Sequence, residues 1–223
     1  MDWHTIGGKA VSDKLDRIIS PRLSQFGVVW RGDNNWVAAG SVAIRRVLRL
    51  LPLKGSRAVI SWGYSLSFVP HISGTQLLYH KTFKSARLDV FDWPASYARS
   101  FSEATSFESI DLFTGRFESS LNEYFDAEIA NVALWFERVR DLTGIEVELR
   151  RQIASASLAY RLHYPSPSYI LPFVVAARGD IQEAEMLAQV GFTENAAPLV
   201  PKLKLSIQGA SRQLAKMMSA EKR

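Results

Sequence analysis

The chain has 223 residues, 47% of them hydrophobic and 22% charged, enough apolar material to bury a sizeable core. It contains no cysteine, which excludes disulfides, thiolate metal sites and a cysteine nucleophile. The formal charge of +5 is spread unevenly, with +8 in residues 1–100, −7 in 101–150 and +4 in 151–223. Such asymmetry fits an anionic partner, or an acidic helix packed on a basic sheet within the molecule.

Residues 9–25 read as an amphipathic helix, with Leu15, Ile18, Ile19 and Leu23 at helical spacing and Ser12 placed to cap it. Pro21 should kink that helix and Gly27 should close it. From Val28 to Trp93 the period changes to two. The runs "VVWRG", "NWVAA", "VAIRRVLRLL", "AVISWGYSLSF", "TQLLYHK" and "SARLDVFDW" predict strands, and "GDNN", "PLKGS", "PHISG" and "TFK" punctuate them. Short connections without intervening helices predict an antiparallel meander of about five or six strands.

Residues 94–115 read as loop with a short helix. A long amphipathic helix follows, its stripe running from Phe117 through Tyr124, Phe125, Trp135 and Phe136 to Leu142, with Gly144 ending it. The run "IEVELRRQIASASLAYRL" opens another helix, with Glu146 and Glu148 on a solvated face, and "SYILPFVVAARGD" reads as a buried helix ending at Gly179. Asp180 with Glu183 three residues on fits a capping box, and a last helix runs from about Leu199 or Pro201 to Met218. The fold class expected is therefore α+β: an N-terminal helix, the meander, the long helix and a C-terminal helical segment. Residues 1–143 would form one unit and 144–223 a helical appendage packed on it, within two domains or one.

The opening helix, the "QFG" junction, "VVWRGDNNWVAAG" and the "DWP" of Asp92, Trp93 and Pro94 together resemble a group of uncharacterised bacterial α+β domains. Val28 departs from that pattern, which has a second aromatic there. The resemblance implies a fold and no activity; domains of this kind often sit beside toxin or defence genes, which implies an immunity-like binding role.

No nucleophile elbow and no phosphate loop is present; "IGGK" at residues 6–9 lacks the preceding strand. The histidines are His4, His71, His80 and His163. His71 and His80 lie in neighbouring segments with Asp89 and Asp92 in the next, a set that could hold a metal but lacks a recognised ligand spacing. No cofactor is expected. Glu128 interrupts the apolar stripe of the long helix and needs a cation or a proton. Arg46 falls on the apolar face of its strand, so Arg46 and Glu128 are candidates for a buried ion pair.

The remaining cations Arg45, Arg49, Lys54, Arg57, Lys81, Lys84 and Arg87 form a candidate anion- or partner-binding surface, solvated by the alternation of the strands. In "WGYSLSF" the aromatics share one face and Gly63, Ser65 and Ser67 the other, which is either exposed or closely covered by a helix. Aromatics and cations on opposite faces do not make a base-stacking platform. The leading expectation is a non-enzymatic protein-binding module. A nucleic-acid-associated protein using the basic sheet is the alternative, and an enzyme of unknown class the third. The N-terminus lacks a signal-type apolar run, and residues 169–177, the most apolar stretch, are too short for a bilayer. A cytoplasmic protein without membrane contact is expected.

Overall fold

The structure is a computed structural model that describes residues 8–39, 43–101, 103, 106–113, 115–155, 160, 164–192 and 199–220. His4, His163 and the start of "IGGK" lie outside these residues. Among them the chain forms α1 (Gly8–Leu23), β1 (Val28–Gly32), β2 (Asn35–Ala38), β3 (Ile44–Leu53), β4 (Arg57–Leu66), β5 (Pro70–Ser73), β6 (Gln76–Tyr79), β7 (Val90–Asp92), α2 (Ala95–Arg99) and β8 (Ile110–Asp111). Five longer helices follow: α3 (Phe117–Arg138), α4 (Leu142–Ala154), α5 (Pro167–Ala177), α6 (Ile181–Gly191) and α7 (Val200–Ala220).

The architecture is α+β. The main sheet is antiparallel, in the order β1-β2-β3-β4-β7 with β8 also on β4, while β5 and β6 form a separate hairpin. The hairpin strand β5 lies where the sequence predicts only punctuation. Pro70 is its first residue, where the missing N–H costs the ladder little, and Gly74, with φ +58°, helps to turn the chain into β6.

The start of α1 at Gly8 places Ser12 inside the helix rather than at its cap. Its proline sits in the last turn, after which residues 24–26 tighten into a 3₁₀ turn and Gly27, with φ +66°, donates its N–H to the Ser24 carbonyl. The break between α3 and α4 also falls earlier than expected. Asp141 caps α4 by accepting from the Gly144 N–H at 2.8 Å, so Gly144 belongs to the first turn of the new helix rather than the end of the old one. A Cβ on Gly144 would lie 2.6 Å from the Arg138 carbonyl oxygen and 3.0 Å from the Val139 Cα, a separation only glycine allows.

The chain forms two compact units, one of Met1–Ala39, Arg46–Gly63 and Phe91–Glu137, the other of Gly40–Arg45, Tyr64–Val90 and Arg138–Arg223. In the first, Leu15, Ile19 and Leu23 of α1 are fully buried, and Trp36 donates its indole N–H to Ser20 at 3.0 Å. Phe26 meets Phe136 of α3 at 5.6 Å between ring centres, and the Tyr124 hydroxyl receives the Ile60 N–H at 2.9 Å. In the second, nearly all of α5 is buried, against α4, α6 and α7. Its near-continuous apolar run follows from that enclosure.

Strand β4 is buried from Ala58 to Leu66 on both faces. The small face of "WGYSLSF" is therefore covered: Ser67 donates to the Ala43 carbonyl and contacts the Met217 sulfur of α7 at 3.0 Å. Period-two alternation still describes which residues share a face, but it no longer separates wet from dry.

Candidate functional site

The seven candidate cations are divided between the units. Arg49, Lys54 and Arg57 belong to the first and are exposed, Arg57 lying over Phe107 at 4.9 Å. Lys81, Lys84 and Arg87 belong to the second and are exposed, with the Lys81 ammonium 4.8 Å over the Tyr79 ring. Arg45, also in the second, is 5% exposed, whereas the alternation predicts a solvated side chain. Its strand neighbour Val47, on the same face, is fully buried, so this face of β3 is covered at Arg45 and Val47 and opens to solvent at Arg49.

Arg46 donates to the Phe26 carbonyl at 3.3 Å and lies 5.4 Å over the Phe136 ring. Glu128 accepts from Asn131, three residues further along its own helix, at 3.2 Å. The structure thus gives each its own partners and does not join the two. Burial pushes the Glu128 carboxyl above its ordinary range, the Asn131 hydrogen bond opposes this, and the charge of Glu108 adds to it. Two other acids of α3 pair with a helix rather than with the sheet. Glu118 meets Lys14 at 3.2 Å and Arg17 at 3.4 Å, and Asp126 meets Arg22 at 3.6 Å.

In the second unit Glu146 and Glu148 are 8% and 2% exposed, which corrects the solvated face expected for them. Glu146 accepts from Arg150 at 2.9 Å and from Arg178. Glu148 accepts from Arg138 at 3.1 Å, Arg151 at 2.5 Å and Gln152 at 2.9 Å. Glu183 takes the second branch of Arg150 at 2.6 Å. These carboxylates engage Arg138, Arg150, Arg151 and Arg178, and arginine can serve several acceptors because its fork carries five donors.

The cations of α7 have no such partners. Lys202, Lys204, Arg212 and Lys216 make no ion pair among the described residues, and residues 199–220 contain no acidic residue. Helical geometry places Lys202, Leu205, Gly209, Arg212 and Lys216 along one stripe, opposite the buried Leu203, Ile207, Ala210 and Leu214. Leu205, one turn beyond Lys202 on that stripe, is 69% exposed. The Tyr79 hydroxyl meets Ser206 of α7 at 2.8 Å, so the β6 strand and Lys81 beyond it stand beside the helix. The sequence carries the signal in its acid-free C-terminal run, which averaging charge over residues 151–223 conceals.

The histidine candidates partly converge. The His71 Nε2 lies 2.6 Å from Asp89 Oδ1, both side chains being at most 2% exposed, and Asp89 Oδ2 receives the Leu66 N–H at 2.6 Å. The His80 ring lies edge-on to His71 at 4.6 Å between centres. Burial, then the neighbouring His71 and Arg87, push the His80 imidazole below its ordinary value, while Asp89 and a hydrogen bond to the Ser85 backbone act the other way. Asp92 belongs to the other unit and accepts the Trp93 N–H at 2.9 Å. No group of three or more His, Cys, Asp or Glu among the described residues is arranged to hold a metal ion.

Two surface concavities complete the survey. One, of about 240 Å³ in the first unit, is lined by Glu108, Ser109, Ser120, Glu123, Tyr124 and Ala127. It offers hydroxyls and carboxylates, but the Tyr124 hydroxyl is engaged with Ile60 and held well above its ordinary pKa by burial. The other, of about 290 Å³ in the second unit, is mainly apolar, between Ile153, Leu171, Leu187 and Val190, with Arg150 at its edge. Neither lining includes a histidine, and the Ser120 hydroxyl of the first is engaged with the backbone of Asp111 and Phe117.

Comparison with protein families, curated proteins and solved structures finds no match to this chain in any of the three. The resemblance to uncharacterised bacterial domains therefore stands on the quoted residues alone. No helix among the described residues is long and apolar enough to cross a membrane.

Proposed function

We propose that this protein is a non-enzymatic binding module that engages an acidic protein partner through the exposed stripe of α7. One observation carries the reading: three cations in no ion pair among the described residues, Lys202, Arg212 and Lys216, share a stripe with the exposed Leu205 on a helix whose opposite face is buried. Cations alone would suit any polyanion, but an exposed apolar side chain on a cationic stripe suits a protein interface, where an anchor is desolvated and the charges steer approach. A nucleic-acid backbone, the second reading, explains the cations and leaves Leu205 without a role. The stripe also carries no aromatic on which a base could stack.

A photo-crosslinking residue at position 205, introduced in the cells that make the protein, separates the two. The proposal expects an adduct that protease destroys and nuclease does not, lost in the Arg212→Glu/Lys216→Glu variant. A nuclease-sensitive adduct, or an adduct unaffected by that variant, overturns it.

A further inference from the structure

Independently of the α7 stripe, the His71–His80 pair has the chemistry of a metal-binding site. The hairpin register pairs His71 with Leu78, so His80, two residues beyond, lies diagonally across on the same face. The ring contact at 4.6 Å agrees with that placement. Each ring has one nitrogen engaged and one left over. A carboxylate only accepts, so His71 donates from Nε2 to Asp89, which leaves Nδ1 as the nitrogen that can offer a lone pair to an ion. The hydrogen bond of His80 to the Ser85 backbone favours an N–H on that ring. Since His80 Nε2 has no hydrogen-bond partner, this N–H is on Nδ1 and the lone pair is on Nε2.

The two remaining nitrogens, His71 Nδ1 and His80 Nε2, are both buried and both without a hydrogen-bond partner. A buried acceptor left unmade is costly, and these two belong to rings whose centres are 4.6 Å apart. Ligating histidines characteristically donate their second N–H to a carboxylate or a backbone carbonyl, which fixes the tautomer and aims the lone pair. His71 is held that way by Asp89, and the Ser85 backbone acts on His80 in the same sense.

We propose that His71 Nδ1 and His80 Nε2 ligate a divalent ion of the zinc class, with Asp89 and the Ser85 backbone as the groups that orient them. Imidazole nitrogen suits zinc, copper and nickel over calcium or magnesium. Two protein ligands leave further positions for water or for a group brought by another molecule, so the site is weaker than a four-ligand structural centre. Asp89 contributes the compensating negative charge and Arg87 opposes it. His80 is only half-buried, so the pair is reached from its side.

The test uses the full chain, stripped with a chelator and titrated with Zn2+ at neutral pH. Calorimetry should give one saturable site, and heteronuclear NMR of the imidazoles should show His71 Nδ1 and His80 Nε2 shifting together as it fills. His80→Ala, at a half-buried position, should abolish that site while leaving the circular dichroism spectrum unchanged. Asp89→Asn, which keeps an acceptor for Leu66, should weaken binding roughly tenfold through loss of orientation. Zn2+ shifts confined to other histidines, or binding unchanged by His80→Ala, overturn the proposal. The NMR result on the unmodified chain decides it even if a variant fails to fold.

Discussion

The two units hold their charges in different ways. The first has 11 basic and 13 acidic residues and a formal charge of −2; the second has 16 basic and 9 acidic residues and a formal charge of +7. In the first, the acids of α3 meet the cations of α1 at exposed contacts such as Glu118 with Lys14 and Arg17, where water already solvates both partners. In the second, the buried Glu146 and Glu148 engage the arginines of α4 and its neighbours, and the carboxylate of Glu185 meets Gln208 of α7 at 2.9 Å rather than a cation. Net charge thus says less about a surface than which charges remain once the buried acids have taken their partners.

The sharpest test of this contrast is Asp89, whose two oxygens serve His71 and the Leu66 amide. Asp89→Ala leaves both donors without an acceptor at under 3% exposure and should cost roughly 3 kcal/mol in denaturant unfolding. Glu148→Ala should cost about 2 kcal/mol in the same measurement. Its arginine partners are 42% to 56% exposed and can recover water, which holds the loss below that at Asp89. An equal or larger loss from Glu118→Ala would break the comparison, since an exposed pair is worth about 0.5 kcal/mol or less.

Glu128 should behave in the opposite sense. Its carboxyl is raised in the folded state, so the stability it gives is present at pH below the unfolded carboxyl range and is lost as pH rises through the folded value. Glu128→Gln should therefore raise the melting temperature at pH 7, by roughly 2 °C, and have no such effect near pH 3. His80 supplies the complementary case in the second unit. Its folded value lies below the ordinary 6.5, so the unfolded chain takes up the proton first and stability falls as pH drops below about 6.5. His80→Ala should flatten that part of the pH–stability curve, by less than any of the carboxylate changes above.

The regular elements were legible wherever one face of an element was wet and the punctuation was conventional. The strands from Val28 to Leu66 and the helices α5, α6 and α7 follow from period and capping residues, Asp180 included, which accepts the Glu183 N–H at 2.9 Å. The strand β5 was hidden because Pro70 and Gly74 read as turn signals. The α3–α4 corner was misplaced because a glycine suggests an end before an aspartate suggests a beginning. Charge pairing was the least legible. Nothing in the spacing of Glu146 and Glu148 says that both turn inward, since that depends on α5 being buried against their helix. The α7 stripe was overlooked for the same reason, since its cations count only once their acidic neighbours prove to be occupied elsewhere. The neighbouring segments made His71, His80 and Asp89 a candidate set without a recognised ligand spacing, and only the structure shows which ring nitrogens have partners.

The Gly144 corner has a consequence for tolerance to mutation. The obstruction there is backbone, so no rotamer of a neighbouring side chain can make room for even a methyl group. Random substitution should return glycine alone at position 144, although that residue is not fully buried and touches no proposed site. The exposed Val147, three residues on, should accept almost anything.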